Sequence, residues 1–140
     1  MPSRQRGVGL IEVLISVLVM SIGLLGIAAL QATALRSSQS SLERSQATVH
    51  SYAILETMRA NLDAARAGVY RSGNLELSKS DLVAWITALK TDLGESAYGT
   101  INCVAWGDST TRDCTITVVW NDSRGAGGEE NQTMVTVARL

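Results

Sequence analysis

Few side chains in this sequence have the type and spacing that chemistry requires. Glu12 is a lone carboxylate at the edge of an apolar run, in RGVGLIEVLISVLVMSIGLLG (Arg6 to Gly26). A carboxylate there has two uses: pairing with a cation at the same depth, or snorkelling to a membrane surface. His50 is the only histidine, and there is no paired-cysteine motif, so a metal site is not expected. It falls on the polar part of a helical segment and reads as a solvated surface residue. Ser78, Lys79 and Ser80 could suggest a serine and lysine pair, but Ser80 as a helix N-cap explains the same pattern. Gly125, Gly127 and Gly128 could evoke a phosphate loop. They lack the strand-to-helix context and the following lysine, so a flexible turn is expected. No catalytic residue can be named, and the sequence reads as a non-enzyme without a cofactor.

These residues must be carried by a small framework. The chain has 140 residues, no Phe, and one proline, Pro2, ahead of everything that looks folded. Its formal net charge is -1, and residues 31–140 hold ten Lys or Arg against twelve Asp or Glu. No basic surface of the kind that binds nucleic acid is advertised. The low-complexity stretches are short: RSSQSSLERS and RGAGGEE.

From Val13 to Leu30 eighteen residues carry no charge, and the uncharged stretch continues to Leu35. That meets the roughly 20 residues a membrane-spanning helix needs at about 1.5 Å rise each. A cleaved signal peptide, ending near Ala32-Thr33-Ala34, is the competing reading. The basic part of MPSRQR is short for one and the apolar run long. Arg4 and Arg6 place the short side in the cytoplasm and the remainder beyond the membrane.

Beyond the run, residues 31–66 contain no Pro or Gly and are rich in helix formers. Leu35, Leu42 and Val49 recur every seven residues, and Ile54, Met58 and Leu62 continue an apolar stripe. One helix from about Val8 to about Ala67 is predicted, stopped by Gly68. A second helix is predicted from Ser80, with Leu82, Ile86, Leu89 and Leu93 on one face and Gly94 after it. From Gly99 the period changes to 2. Ile101, Cys103 and Ala105 share one strand face, and Ile116, Val118 and Trp120 share another. GDSTTRD reads as the hairpin loop between them, and Thr133 to Leu140 as a third strand. The expected fold class is α+β: one long N-terminal helix packed on a small antiparallel sheet with a second short helix.

Extending each alternation puts Cys103 and Cys114 on the core face of neighbouring antiparallel strands. A cross-strand disulfide is sterically reasonable there and would form outside the cytoplasm. Two buried free thiols are the alternative.

The opening residues also match something specific. A basic leader ending at Gly7, then VGLIEVLISVLVMSIGLLGIAALQ with Glu12 as the fifth residue from Val8, resembles the class III signal of type IV pilins and pseudopilins. SIGLLGIAALQ (Ser21 to Gln31), ETMRAN (Glu56 to Asn61) and the helix around Trp85 followed by TITVVW resemble the PilV-type minor pilins, the type IV pilus modification family. The chain has Val8 and Gly9 where that family usually has Phe and Ser or Thr, and LGESAYG where it has a leucine-proline-glycine turn.

The resemblance implies that prepilin peptidase removes the leader, residues 1–7, after Gly7 and that the new amine of Val8 is N-methylated. Residues 8–30 would form the transmembrane and assembly half of the helix, and residues 31–140 a periplasmic globular domain with the amphipathic half running to about residue 67. The protein would sit in the inner membrane as a single-pass subunit and join other minor pilins and the major pilin in a complex that initiates pilus assembly, at the tip or in the fibre. Glu12 would then pair with the amine of a neighbouring subunit. Two alternatives share the N-terminal features: a minor pseudopilin of a type II secretion system, and a tip subunit for adhesion or DNA uptake. Gly23 and Gly26 fit either close helix packing or a point where the helix loosens.

Overall fold

The computed structural model describes residues 9–71, 79–107 and 111–140. Its elements are α1 (Leu10–Ala60), α2 (Leu62–Arg66), α3 (Lys79–Leu93), β1 (Tyr98–Ala105), β2 (Arg112–Trp120) and β3 (Gln132–Arg139). The architecture is the expected α+β, pilin-like one: a long N-terminal helix with an apolar stretch, a short helix, and a three-stranded antiparallel sheet of order β1-β2-β3. The chain divides into two compact units at Arg36 and Ser37.

The long helix ends earlier than its composition suggests. Asn61 leaves helical geometry (φ -118, ψ 55), and its side-chain amide donates to the Tyr70 hydroxyl at 3.2 Å. Asparagine competes for such local bonds, which makes it a natural break. The chain resumes as α2 and stops at Gly68, as expected. There φ is +79, the Gly68 N–H donates to Ala65 O and the Val69 N–H to Ala64 O. This is the glycine-capped helix end in which two otherwise orphaned carbonyls are satisfied.

The heptad positions of α1 are not on its buried face, whereas Ile54 and Met58 of the predicted stripe are. Leu35, Leu42 and Val49 are 72%, 58% and 65% exposed, whereas Ser40, Ala47, Ser51, Ile54, Leu55 and Met58 are buried. At about 100° per residue, Ala47 stands about 140° around the helix from Leu42, so the two sets face different sides. Large residues of the other elements complement the small ones on α1: Trp85, Leu89 and Leu93 from α3, Ile101 and Cys103 from β1, and Cys114, Ile116, Val118 and Trp120 from β2. Ala105, expected on the core face of β1, is exposed.

Helix α3 begins one residue before Ser80, whose hydroxyl meets the Asp81 carboxylate at 3.4 Å rather than capping a free N–H. Trp85 is the anchor the periodicity did not single out. Its indole N–H donates to the His50 carbonyl at 3.0 Å, and its ring lies so close over Gly99 that a methyl group there would overlap it. Residues 108–110 of the expected hairpin loop lie outside the described residues.

The register sets Cys103 directly opposite Cys114, with Cα atoms 4.0 Å apart, and the two are joined as a disulfide eleven residues apart in sequence. Closing a loop of this size restricts the unfolded chain by roughly 3 kcal/mol in the chain-entropy model. A Cys103→Ala, Cys114→Ala variant should therefore unfold in urea with roughly 3 kcal/mol less stability. Reductant should bring the wild type down to the same midpoint and leave the variant where it is; an unchanged wild type under full reduction would contradict this.

Candidate functional site

The hydroxyls along the apolar segment of α1 are bonded to the helix's own backbone. The helix opens with the Glu12 N–H donating to Gly9 O at 2.9 Å. Ser16, Ser21 and Thr33 each return their hydroxyl to the carbonyl four residues earlier, at 2.7, 2.7 and 3.1 Å. A hydroxyl bonded in this way is tolerable in hydrocarbon, where an unmet donor costs several kcal/mol by order of magnitude. Between Leu10 and Leu30 the large apolar side chains point outward on every side of the helix and are exposed. A helix apolar all round with no core of its own needs lipid or other protein surface to cover it. By length and composition it is long and apolar enough to cross a membrane.

Glu12 stands in the first turn of this helix, and among the described residues its side chain has no partner. The helix N-terminus favours a carboxylate there through its partial positive charge. Gly7 and Val8 lie outside the described residues. Gly23 and Gly26 face open space, since a methyl group added to either meets nothing within 4 Å. Neither glycine is needed for packing inside the chain, and together they leave a shallow strip one turn long on the helix surface.

In the globular unit, the structure corrects two readings. His50 is not a solvated surface residue: its side chain is only 12% exposed, and Nε2 lies 2.8 Å from the Asp92 carboxylate, tying α1 to α3. The glycine cluster is no free turn either. Ser40 on α1 donates its hydroxyl to Asp122 Oδ2 at 2.5 Å, and Asp122 is 2% exposed. The Asp122 N–H donates to Glu129 O, and the Gly125 N–H donates to the Asp122 carbonyl at 2.8 Å. Gly125 lies against the Asp122 carboxylate and Ser40, and Gly128 against the Asp122 carbonyl, so closely that a Cβ at either would overlap them. The glycines wrap a buried carboxylate that fastens the loop to α1. The sequence signal was available: an aspartate followed within six residues by three glycines.

At the far end of the sheet, Asp113 and Arg139 are cross-strand partners, with Arg139 Nε 2.7 Å and Nη2 3.2 Å from the two carboxylate oxygens. The Arg139 guanidinium also stacks over Trp106, 4.1 Å from the ring centre. The hydrogen bond from Arg139 holds the Asp113 carboxyl below its ordinary range; partial burial opposes this and the Coulombic attraction adds to it.

A family model described as the prokaryotic N-terminal methylation motif matches residues 2–28. That match covers the N-terminal signal and the start of α1, and none of the globular unit. No curated protein and no solved structure matches the chain. The chain thus carries a type IV pilin-like signal, which supports a pilin or pseudopilin-like structural protein and implies processing by prepilin peptidase in a pilus-assembly context. Signal and apolar helix together are consistent with anchoring in the inner membrane.

Three variants test this geometry. Asp122→Ala should destabilise the globular unit by about 1.5 to 3 kcal/mol, the usual loss for a buried hydrogen bond to a charged group. Gly128→Ala should cost at least as much, because its methyl meets backbone; urea unfolding in detergent checks both, and a variant as stable as wild type would contradict the loop's role. Because the Asp113 carboxyl titrates lower folded than unfolded, its contribution is complete above the unfolded value and lost as pH falls through the folded one. Asp113→Asn should accordingly unfold with a shallower acid-side decline than wild type, with the curves differing least at the lowest pH.

Proposed function

We propose that this chain is a minor pilin of the PilV type, which joins an inner-membrane complex that initiates type IV pilus assembly and stays at the tip or in the fibre. The observation that carries the reading is the matched N-terminal signal on a helix whose apolar residues are exposed all round. Such a surface is stable only in lipid or against other helices. In this reading prepilin peptidase cuts after Gly7, residues 1–7 leave as the leader, and the amine of Val8 is methylated. Residues 8–30 are the membrane and assembly segment, and residues 31–140 the periplasmic domain.

Glu12 then has a physical role. A carboxylate at the centre of a bilayer costs roughly 2.5 to 3.5 kcal/mol on insertion scales, and less near the interface. The methylated amine of a neighbouring subunit, freed only after cleavage, is a cation of matching depth. Pairing offsets desolvation of both charges, and an unpaired charge is penalised, so the pair also sets the axial register between subunits. The unpartnered Glu12 carboxylate supports this, as do the exposed Leu42 and Val49 of the globular unit, which offer further helix-packing surface to the major pilin or other minor pilins. A type II secretion pseudopilin shares each of these features, and secretion components copurifying with the chain in place of pilus components would favour it.

Mass spectrometry of the mature protein should find an N-terminus at Val8 carrying one added methyl group. An uncut chain, or cleavage after Ala34, would sink the proposal. Glu12→Ala should leave cleavage intact and reduce the number of surface pili counted by electron microscopy; unchanged piliation with the variant as the sole copy would remove the assembly role.

A further inference from the structure

The fold brings together the two low-complexity stretches that the assembly reading leaves unused. Ser37, Ser40, Ser41 and Arg44 come from RSSQSSLERS on α1, and Ala126 from the glycine loop. Together they line a polar cavity of about 240 Å³. Ser37, Ser41 and Arg44 follow one another at i, i+4 and i+7, so the helix presents them on one side. Among the described residues, the Ser37 and Ser41 hydroxyls and the Arg44 guanidinium have no hydrogen-bond or ion-pair partner. The Ala126 N–H likewise takes no part in the loop's backbone bonds.

The neighbouring hydroxyls behave differently. Ser45 and Thr48 return theirs to the carbonyls of Ser41 and Arg44, and Ser40 gives its proton to Asp122. Asp122 is buried behind Ser40, and Glu43 does not line the cavity. Arg44 is therefore the one charged residue of the lining, with Ser37 and Ser41 on the same helix and Ala126 contributed by a second element.

We propose that this cavity binds a phosphate group, with Arg44 forking onto two of its oxygens and Ser37, Ser41 and the Ala126 N–H serving the others. Donors that approach from two elements suit a tetrahedral anion with several acceptor oxygens better than a planar carboxylate. Ser40 and Asp122 position the loop and give no proton to the ligand. Ser37 stands two residues after the uncharged stretch ends at Leu35, so the nearest phosphate is that of a phospholipid headgroup. That choice of source rests on the membrane-anchor reading; the phosphate chemistry does not.

The test uses the full-length, ¹⁵N-labelled chain in dodecylmaltoside micelles, titrated separately with dihexanoyl phosphatidylglycerol, inorganic phosphate, and sodium chloride at matched ionic strength. The expected result is a saturable shift of the Ala126 amide with the lipid and none with chloride. Saturation by inorganic phosphate at equal concentration would keep the site and overturn the lipid source. No saturable shift with either phosphate would overturn the site. Arg44→Ala with Ser41→Ala should weaken the response at least about tenfold, the scale of one lost charge-assisted hydrogen bond, and Arg44→Lys should keep part of it. An unchanged titration in the double variant, with the remaining amide spectrum intact, also counts against the proposal. The lipid-free arms keep the outcome separable from failure of the pilin reading.

Discussion

The burial of one face of α1 under the sheet and α3 is the contact on which the globular unit depends. A strip of Ser40, Ala47, Ser51, Ile54, Leu55 and Met58 is covered, and most of the volume against it comes from Trp85, Trp120, Tyr70 and the inner residues of β1 and β2. The strip is small at Ser40, Ala47 and Ser51 and large at Ile54, Leu55 and Met58, and residues of complementary size opposite it fill the core. Polar ties stand along the same face: Ser40 to Asp122, Thr48 to the Met134 sulfur at 3.4 Å, and the His50 carbonyl to Trp85. Each fixes a level on α1 against a different element, so register along the helix is set at several points.

Because the covered strip is narrow, the rest of α1 stays available. The heptad residues lie on an uncovered side, and the apolar segment is exposed around its whole circumference. These two surfaces differ in what they can satisfy. The segment from Leu10 to Leu30 is at home in hydrocarbon, since its few hydroxyls are already bonded to its own backbone. Glu12 is the exception, a carboxylate with no partner among the described residues. An exposed apolar surface with an unpartnered carboxylate near its start is the setting in which the pilin-like signal stands on this helix.

The two ends of β2 are secured by different means. At its start, the Arg112 N–H and C=O exchange hydrogen bonds with Leu140, and the Arg112 side chain donates to the Arg66 carbonyl, joining the C-terminus, the sheet and α2. Beyond its end, the chain turns at Asp122 and is closed by Gly125 and Gly128. At both of these positions a side chain is excluded by the backbone and carboxylate it would strike, whereas Gly127 adopts φ +76 in open space and serves the turn alone. Neighbouring glycines in one loop thus answer to different constraints.

The elements whose signals are local were legible in the sequence. Apolar composition marked the segment from Val13, the period of 2 marked the strands and set Cys103 and Cys114 on the core side, and Gly68 and Gly94 marked helix ends with positive φ. The position of Glu12 five residues after Gly7 was legible in the same way, because it is a spacing along one chain. Packing, and not pattern, chose which side of α1 would be covered, the one bearing Leu42 and Val49 or the one bearing Ala47, Ile54 and Met58. Both have helical spacing, and periodicity cannot say which side a distant sheet will choose; the face bearing Ser40, Ala47 and Ser51 won because the bulk of Trp85 and Trp120 lies opposite. His50, Trp85 and Asp122 were misjudged or passed over for the same reason. Their partners are Asp92, Gly99 and Ser40, each far along the chain, and such pairings exist only once the elements have packed.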